Sequence, residues 1–258
     1  MGCQMLDKTR YADWLTRCQT WKAKYPVALP EYRLNDDIAK INSYAFMDDL
    51  SEQCTANDVL APGSSGQSVE VFMQGWKVKQ GQRFVFAPGL GPMGFDIPMA
   101  LGVCIASGKS RTICTTGDGG FQLNLPTLET IRNLNLPIKF FVFNNGGYGS
   151  IMSMQRAYFE GRYVGSNPQS GLTFPPLDKI AEAYGLEYYK IMTGLKSKDT
   201  IKKVLEHNNP VICEVMVDEK TTQQPRVSST VQNGVMVSDP MERLYPYLPE
   251  DEYAEAMK

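Results

Sequence analysis

Two glycine-rich breaks in apolar runs constrain this chain more than any other feature: Gly117-Asp118-Gly119-Gly120 and Asn144-Asn145-Gly146-Gly147. Before the first lies Ser110 to Thr116, short and rich in β-branched residues, which reads as a strand. After it the spacing of Leu125, Leu128, Ile131, Leu134 and Leu136 is helical. The second break ends the apolar run Ile138 to Phe143. The unit is therefore strand, glycine turn, crossover helix, strand, glycine turn, and such a unit makes parallel neighbours. In an open parallel sheet ligands settle beyond the carboxyl ends of the strands, so Asp118 and Asn145 are predicted to meet in one crevice.

Magnesium takes six oxygen ligands at short range, commonly one or two carboxylates or amides plus phosphate oxygens and water. Asp118 and Asn145 offer two such oxygens and the carbonyl of Gly147 a third. Gly119 and Gly120 carry no side chain to obstruct a phosphate, and their N–H groups open the next helix, where the positive end of the dipole favours an anion. The plain alternative is a tight turn, because Asp and Gly favour turns wherever they meet.

The Gly-Asp-Gly element followed by the paired asparagines resembles the signature of the thiamine-diphosphate enzymes. That resemblance implies that Asp118, Asn145 and the main chain of Gly147 hold Mg2+, and that Gly117, Gly119 and Gly120 lie against a diphosphate. The chain is most similar to the acetolactate synthase group. Gly89-Leu90-Gly91-Pro92-Met93-Gly94-Phe95 looks like that group's loop before a helix, here Ile97 to Ala106. By resemblance Met93 is the apolar wedge that bends the cofactor; core packing is its alternative reading, since Met fills irregular gaps. Gly66-Gln67-Ser68 stands where the group carries Gly-Gln-His, and a serine hydroxyl still donates to phosphate. Tyr148-Gly149-Ser150-Ile151, with Gln155, Tyr158 and Phe159, parallels the helix that lines the substrate side, although the group's Met-Val-x-Gln-Trp pattern is absent. Packing on the sheet is the alternative for Tyr148, Ile151, Met152 and Met154. The implied fold is α/β, three-layer, with a mostly parallel central sheet flanked by helices.

The implied activity is that of a thiamine-diphosphate-dependent lyase or transferase: decarboxylation of a 2-keto acid, or carboligation of its acyl unit to a second carbonyl compound. In the family a glutamate on a separate pyrimidine-binding domain activates the cofactor ring, and 258 residues leave no room for that domain. Turnover is therefore expected to need another chain or a missing N-terminal part, within a homo- or hetero-oligomer. The alternative is a noncatalytic cofactor-binding or regulatory module that keeps the diphosphate site. Dinucleotide binding is disfavoured, because no G-x-G-x-x-G with a later acidic residue follows a strand.

A formal net charge of -2 gives no reason to expect a nucleic-acid or membrane partner. No long apolar span or signal-like start is present, and Met1-Gly2-Cys3 lacks the Ser or Thr at position 6 that a myristoylation motif wants. The six cysteines, at 3, 18, 54, 104, 114 and 213, form no C-x-x-C and read as reduced thiols of a cytoplasmic protein. Residues 1–35 are expected to be a docking arm with an aromatic helical face (Tyr11, Trp14, Leu15, Cys18, Trp21), 36–220 the thiamine-diphosphate-binding domain, and 221–258 a polar strap with little periodicity before Glu250. That strap could pin a partner or lie on the domain's own surface. Helices are expected over Asp36 to Cys54, Leu177 to Tyr184 and Thr200 to His207, and strands over Val59 to Pro62, Phe84 to Phe86, Glu187 to Ile191 and Val211 to Val217. His207, the only histidine, sits at a helix end and reads as a cap.

Overall fold

A computed structural model describes residues 8–33, 40–63, 66–87 and 89–257. The chain runs through α1 (Ala12–Lys24), α2 (Ser43–Gln53), β1 (Val59–Leu60), α3 (Gln67–Gly75), β2 (Arg83–Phe84), α4 (Asp96–Ala106) and β3 (Thr112–Gly117). It continues through α5 (Asp118–Phe121), α6 (Thr127–Asn133), β4 (Ile138–Asn144), α7 (Gly149–Tyr158), α8 (Leu177–Tyr184), β5 (Glu187–Ile191), α9 (Ser197–Glu206) and β6 (Val211–Met216). A hairpin of β7 (Ser229–Gln232) and β8 (Val235–Ser238) and a last helix, α10 (Glu250–Ala256), follow.

The first six strands form one parallel sheet in the order β2-β1-β3-β4-β6-β5. Helices cover both faces, which is why β3, β4 and β6 read as nearly unbroken apolar runs rather than alternating ones. Side chains along β4 still alternate in direction. Phe141 and Phe143 face the layer of α2, α3 and α9, where they meet Phe46, Met47, Leu50 and Val204. Phe140 and Val142 face α4, α6 and α8, with Ile97, Leu128, Ile131 and Ile180. Phe46 packs edge-on against Phe143 at 5.4 Å between ring centroids. Each such buried side chain contributes about 1.5–3 kcal/mol. The architecture is thus the expected three-layer α/β fold with a parallel central sheet.

Register carries the functional ends together. Gly117, last in β3, pairs with Phe143 in β4, so Asp118 and Asn145 leave adjacent strands at the same edge. From β1 the chain moves outward to β2, whereas from β3 it moves the other way to β4. The crevice between β1 and β3 is therefore a topological switch point, where open α/β sheets take ligands.

Several elements differ from the sequence reading. Leu128, Ile131 and Leu136 are buried as their spacing predicts, but Leu134 is not. The helix after Asp118 is also not continuous: α5 is one turn, Gln122–Asn124 is a 3₁₀ turn, and α6 begins after Pro126. Pro126 has no N–H to continue the ladder and so restarts the helix. Strand β1 and the edge strand β2 are shorter than expected: after β1, Ala61 and Gly63 still donate to Ile113 and Thr115 carbonyls, but Pro62 has no N–H to donate. Helix α2 begins at Ser43, where the Asn42 side chain accepts from Tyr44 N at 2.9 Å and caps the helix; the first part of the expected helix, 36–39, lies outside the described residues. The tail contains a hairpin that its weak periodicity hid. Asn233 and Gly234 turn it with φ of 52° and 78°, the paired left-handed conformation that Asn-Gly supplies.

No residue of α1 is buried. Its polar side meets α10, with Arg17 Nη2 donating to the Ala256 carbonyl at 2.6 Å and Lys24 pairing with Glu252 at 2.6 Å. His207 follows α9 at its C-cap, and its Nε2 lies 2.7 Å from the Tyr189 hydroxyl. The thiols of Cys18, Cys54, Cys104, Cys114 and Cys213 are free, and burial pushes those of Cys54, Cys114 and Cys213 well above the ordinary thiol range, which makes them inert. Met1, Gly2 and Cys3 lie outside the described residues. Among the described residues no helix is long and apolar enough to cross a membrane.

Candidate functional site

At the carboxyl edge of the sheet a cleft of about 250 Å³ opens between the turns after β1, β3 and β4. The residues expected from the sequence to hold metal and cofactor lie on its wall, whereas Gln155, Tyr158 and Phe159 do not. Gly66, Gln67 and Ser68 form the start of α3; Gly91 and Met93 come from the loop before α4; Gly117, Asp118, Gly119 and Gly120 from the turn after β3; and Asn145, Gly147, Tyr148, Gly149, Ser150 and Ile151 from the turn into α7. Phe143 completes the wall.

Asp118 is 4 % exposed and tied to the backbone around it. Its Oδ1 accepts from Gly119 N at 2.7 Å, and its Oδ2 accepts from Gly146 N at 3.0 Å and Gly147 N at 3.1 Å. These bonds knit the β3 turn to the β4 turn. Burial raises the carboxyl from its ordinary range to about 6, and the N–H groups of Gly119, Gly147, Gly146 and Asn145 pull in the opposite direction. Among the described residues no cationic side chain contributes to that balance, so there the charge of Asp118 is met by backbone dipoles. A cation would complete it.

Asn145 supplies the other half. Its Oδ1 is buried and has no hydrogen-bond partner, an arrangement that folded proteins avoid unless the atom has a ligand or a strained role. Among the described residues no group of three carboxylates, thiols or imidazoles could hold a metal. A hard cation here would rely on the mixed set of the Asp118 carboxylate, the Asn145 amide oxygen and a main-chain carbonyl, which suits magnesium and not zinc. The residues therefore fit the metal that the sequence pattern implies.

The glycines fit the accompanying anion. A Cβ on Gly119 would lie 2.6 Å from the Tyr148 ring and 3.3 Å from Met93 Cε, and one on Gly120 would lie 2.8 Å from Asp96 Oδ2. A Cβ on Gly149 would collide with Asn145 Nδ2, and one on Gly147 with the Ser166 carbonyl. Side chains at these positions would close the cleft or turn the amide of Asn145. Gly66 precedes α3 with a φ of 69°, a conformation that suits glycine, and the α3 N-terminus presents its first N–H groups to the same space.

Met93 is 37 % exposed with its methyl beside Gly119, so it is not spent on core packing. Met152, by contrast, is buried and does pack on the sheet. Ser68 is buried, and its hydroxyl lies 2.8 Å from the position of a Cβ on Gly63, on the floor of the cleft. Gln155 is turned from the cleft and holds the next loop through Ser166 Oγ at 2.7 Å and the Val164 carbonyl at 3.2 Å.

Sequence reasoning missed Asp96 and Phe143. Asp96 is buried at the start of α4, and its Oδ2 accepts from Thr116 Oγ1 at 2.5 Å directly beneath Gly120. It braces the turn after β3 from below. The acid in the first helical turn after Gly94-Phe95 was the available signal, but an acid there is also ordinary helix chemistry.

Residues 64–215 match the family model described as thiamine pyrophosphate enzyme, C-terminal TPP binding domain. Among curated proteins, the acetolactate synthase large subunit of Cyanidium caldarium is 30% identical over 243 residues, covering 92% of this chain and 39% of that one. The mitochondrial acetolactate synthase catalytic subunit of Saccharomyces cerevisiae is 27% identical over 219 residues, covering 84% of this chain and 31% of its own length. The chain thus spans well under half the length of these relatives. A solved Rhodococcus jostii RHA1 thiamine diphosphate-dependent 4-hydroxybenzoylformate decarboxylase superposes with a TM-score of 0.63 at 20% identity, over 71% of this chain and 34% of that one. That likeness concerns the fold.

Proposed function

The chain belongs to the thiamine pyrophosphate enzymes, as their C-terminal TPP binding domain of the acetolactate synthase-like kind, and from that premise we propose that its cleft grips thiamine diphosphate through Mg2+ and serves a 2-keto acid decarboxylase or carboligase. The observation that carries the metal reading is the orphaned, buried Asn145 Oδ1 next to a carboxylate met by backbone dipoles.

In this reading Asp118, Asn145 and the Gly147 carbonyl hold the metal, while Gly66, Gln67, Ser68, Gly117, Gly119 and Gly120 line the diphosphate. Gly91, Met93, Tyr148, Gly149, Ser150 and Ile151 shape the space above it. Bound thiamine diphosphate supplies the electron sink that decarboxylation of a 2-keto acid requires. The chain's own part is to bind and orient. Asp118 fixes the β3 and β4 turns to each other, Asp96 supports them, and Met93 and Tyr148 flank Gly119 on the cleft wall. None of the cleft's described side chains is a histidine or a second carboxylate. Proton transfer to the ring end is thus assigned to a pyrimidine-binding domain, on a partner chain or on a preceding part of the same enzyme.

Calorimetric titration with thiamine diphosphate tests this. Binding is expected with Mg2+ and lost in EDTA, without pyruvate turnover by the chain alone, and Asp118→Ala abolishes it. Equal binding by that variant removes the metal assignment, and turnover by the isolated chain removes the assignment of the proton step to another domain.

A further inference from the structure

Beside the cofactor cleft lies a second cavity, of about 210 Å³, bounded by α3, α7 and the segment 219–226. It shares Gln67, Gly149 and Ser150 with the cleft, so the two spaces adjoin at the N-termini of α3 and α7. Its construction follows from α3. Gln67, Glu70 and Gln74 are spaced to share one face of that helix, and the outer two hold the tail segment in place. Gln67 Nε2 donates to the Thr221 carbonyl at 2.5 Å and Gln74 Nε2 to the Pro225 carbonyl at 3.1 Å. Gln224 N donates to the Tyr44 hydroxyl at 2.9 Å. This anchoring sets Arg226 on the same wall as Glu70, the middle residue of the stripe.

The two charges are not joined. Arg226 Nε is buried without a hydrogen-bond partner, and among the described residues no ion pair links Arg226 to Glu70. Burial raises the Glu70 carboxyl, and the charge of Arg226 pulls it part of the way back. The third charged residue on the wall, Glu219, is held by Lys40 at 2.7 Å. Hydroxyls of Ser150, Ser153 and Thr222 and the apolar bodies of Met154 and Tyr158 make up much of the rest.

We propose that this cavity is the acceptor subsite of the enzyme and takes a neutral, hydroxyl-bearing carbonyl compound, not a second 2-keto acid. The proposal rests on the function proposed above and names its acceptor. A carboxylate entering the cavity could pair with Arg226 only by setting a like charge beside the Glu70 carboxylate, which Arg226 already stabilises. A hydroxyl pair does the reverse: one O–H donates to the half-buried Glu70 carboxylate while an oxygen accepts from Arg226 Nε, the buried donor that has no hydrogen-bond partner. The volume equals about seven water-sized groups, the size of a short polyol. In the overall reaction a 2-keto acid loses carbon dioxide and the electron pair of the broken C–C bond forms the new bond to the acceptor's carbonyl carbon. The acceptor oxygen takes up one proton, and no oxidant or reductant enters.

Methionine methyl groups report on the two spaces separately, Met93 on the cleft and Met154 on the cavity. The full chain, labelled with ¹³C at its methionine methyls, is titrated with xylitol, with pyruvate, and with thiamine diphosphate plus Mg2+. Xylitol is expected to shift Met154 saturably and leave Met93 in place, pyruvate to leave Met154 unmoved, and thiamine diphosphate to shift Met93. Glu70→Gln and Arg226→Gln are each expected to weaken the xylitol response about tenfold, the worth of one charged hydrogen bond, while an unchanged Met93 response to thiamine diphosphate shows that the variants are folded. A Met154 shift with pyruvate, no shift with xylitol, or a xylitol shift that survives both substitutions overturns the proposal. Xylitol binding without any Met93 response to thiamine diphosphate leaves a polyol site but ends its acceptor role, since the cofactor reading would then have failed by itself.

Discussion

Replacing Asn145 by alanine separates a metal-ligand role from a packing role, because the two make opposite statements about the metal-free protein. Asn145 Oδ1 is buried and unpartnered, and an unmet buried acceptor costs about 1–3 kcal/mol. The substitution removes that cost together with the contacts of one half-buried side chain, a loss of about 1 kcal/mol at an ordinary site. The net change is between zero and about 2 kcal/mol of stabilisation, which in a chain of this size is at most about 8 °C in melting temperature. The bound state responds in the other direction. Thiamine diphosphate and Mg2+ at about a hundred times their Kd stabilise the unaltered protein by about 2.7 kcal/mol, whereas Asn145→Ala should show no such rise. Thermal melts followed by circular dichroism, with EDTA and then with Mg2+ and thiamine diphosphate, measure both quantities. A variant that melts about 4 °C or more below the parent in EDTA, yet keeps the ligand-dependent rise, would refute the reasoning and make Asn145 a structural residue.

Three further outcomes follow from the same physical accounting. Gly119→Ala places a Cβ 2.6 Å from the Tyr148 ring, which itself packs on Phe174 at 5.7 Å; overpacking of about 1–3 kcal/mol and loss of cofactor binding in calorimetry are expected, and unimpaired binding would show that Tyr148 moves freely. Arg111→Met removes the bidentate partner of buried Asp58, held at 2.6 and 2.8 Å, and should cost about 3 kcal/mol by urea unfolding; a cost under about 1 kcal/mol would mean that Asp58 finds another partner. Lys139 is fully buried in β4, its ammonium donates to the Asn209 carbonyl, and burial lowers it from 10.5 to about 8. Its folded value lies below its unfolded one, so between about pH 8 and 10.5 the unfolded chain binds the extra proton and this group favours folding more as pH rises. Lys139→Met should therefore be the more stable form at pH 7, by up to about 3 kcal/mol, and that advantage should shrink towards pH 10.5; a pH-independent difference contradicts the burial argument.

Legibility of the fold depended on how many residues voted for each element. The β3 and β4 strands carry strong signals as continuous buried runs, and the helices of Leu177–Tyr184 and Ser197–Glu206 as periodic ones, because each of those helices buries one face against the sheet. Two-residue β1 and β2 offer almost no pattern, and beyond Leu60 the ladder meets Pro62, which has no N–H to donate. The broken helix after Asp118 was hidden because Leu125, Leu128 and Ile131 keep helical spacing across the interruption at Pro126. The tail hairpin was legible in principle from Asn233-Gly234. Its strands are almost wholly exposed, so the apolar alternation that usually announces a hairpin was missing.

The site was easier to read than the tail because its chemistry is local in sequence: the Asp118 and Asn145 turns each sit one residue past a strand end, and parallel register does the rest. Glu70 and Arg226 show the opposite case. They lie 156 positions apart in the numbering, and nothing in either neighbourhood announces the other; only the Gln67 and Gln74 anchors on the tail backbone bring them to one cavity. The departures from the acetolactate synthase pattern divide in the same way. Asp118, Asn145 and Gly147, the proposed metal ligands, follow it, whereas Ser68 in the cleft and Ser150 on the wall shared by cleft and cavity depart from it. Under the proposed function, a cleft that keeps its metal ligands while the adjoining wall changes is the arrangement expected of an enzyme that retains its cofactor and alters what it joins to the acyl unit. The acceptor, more than the donor, is therefore where this chain should differ from the synthases it resembles.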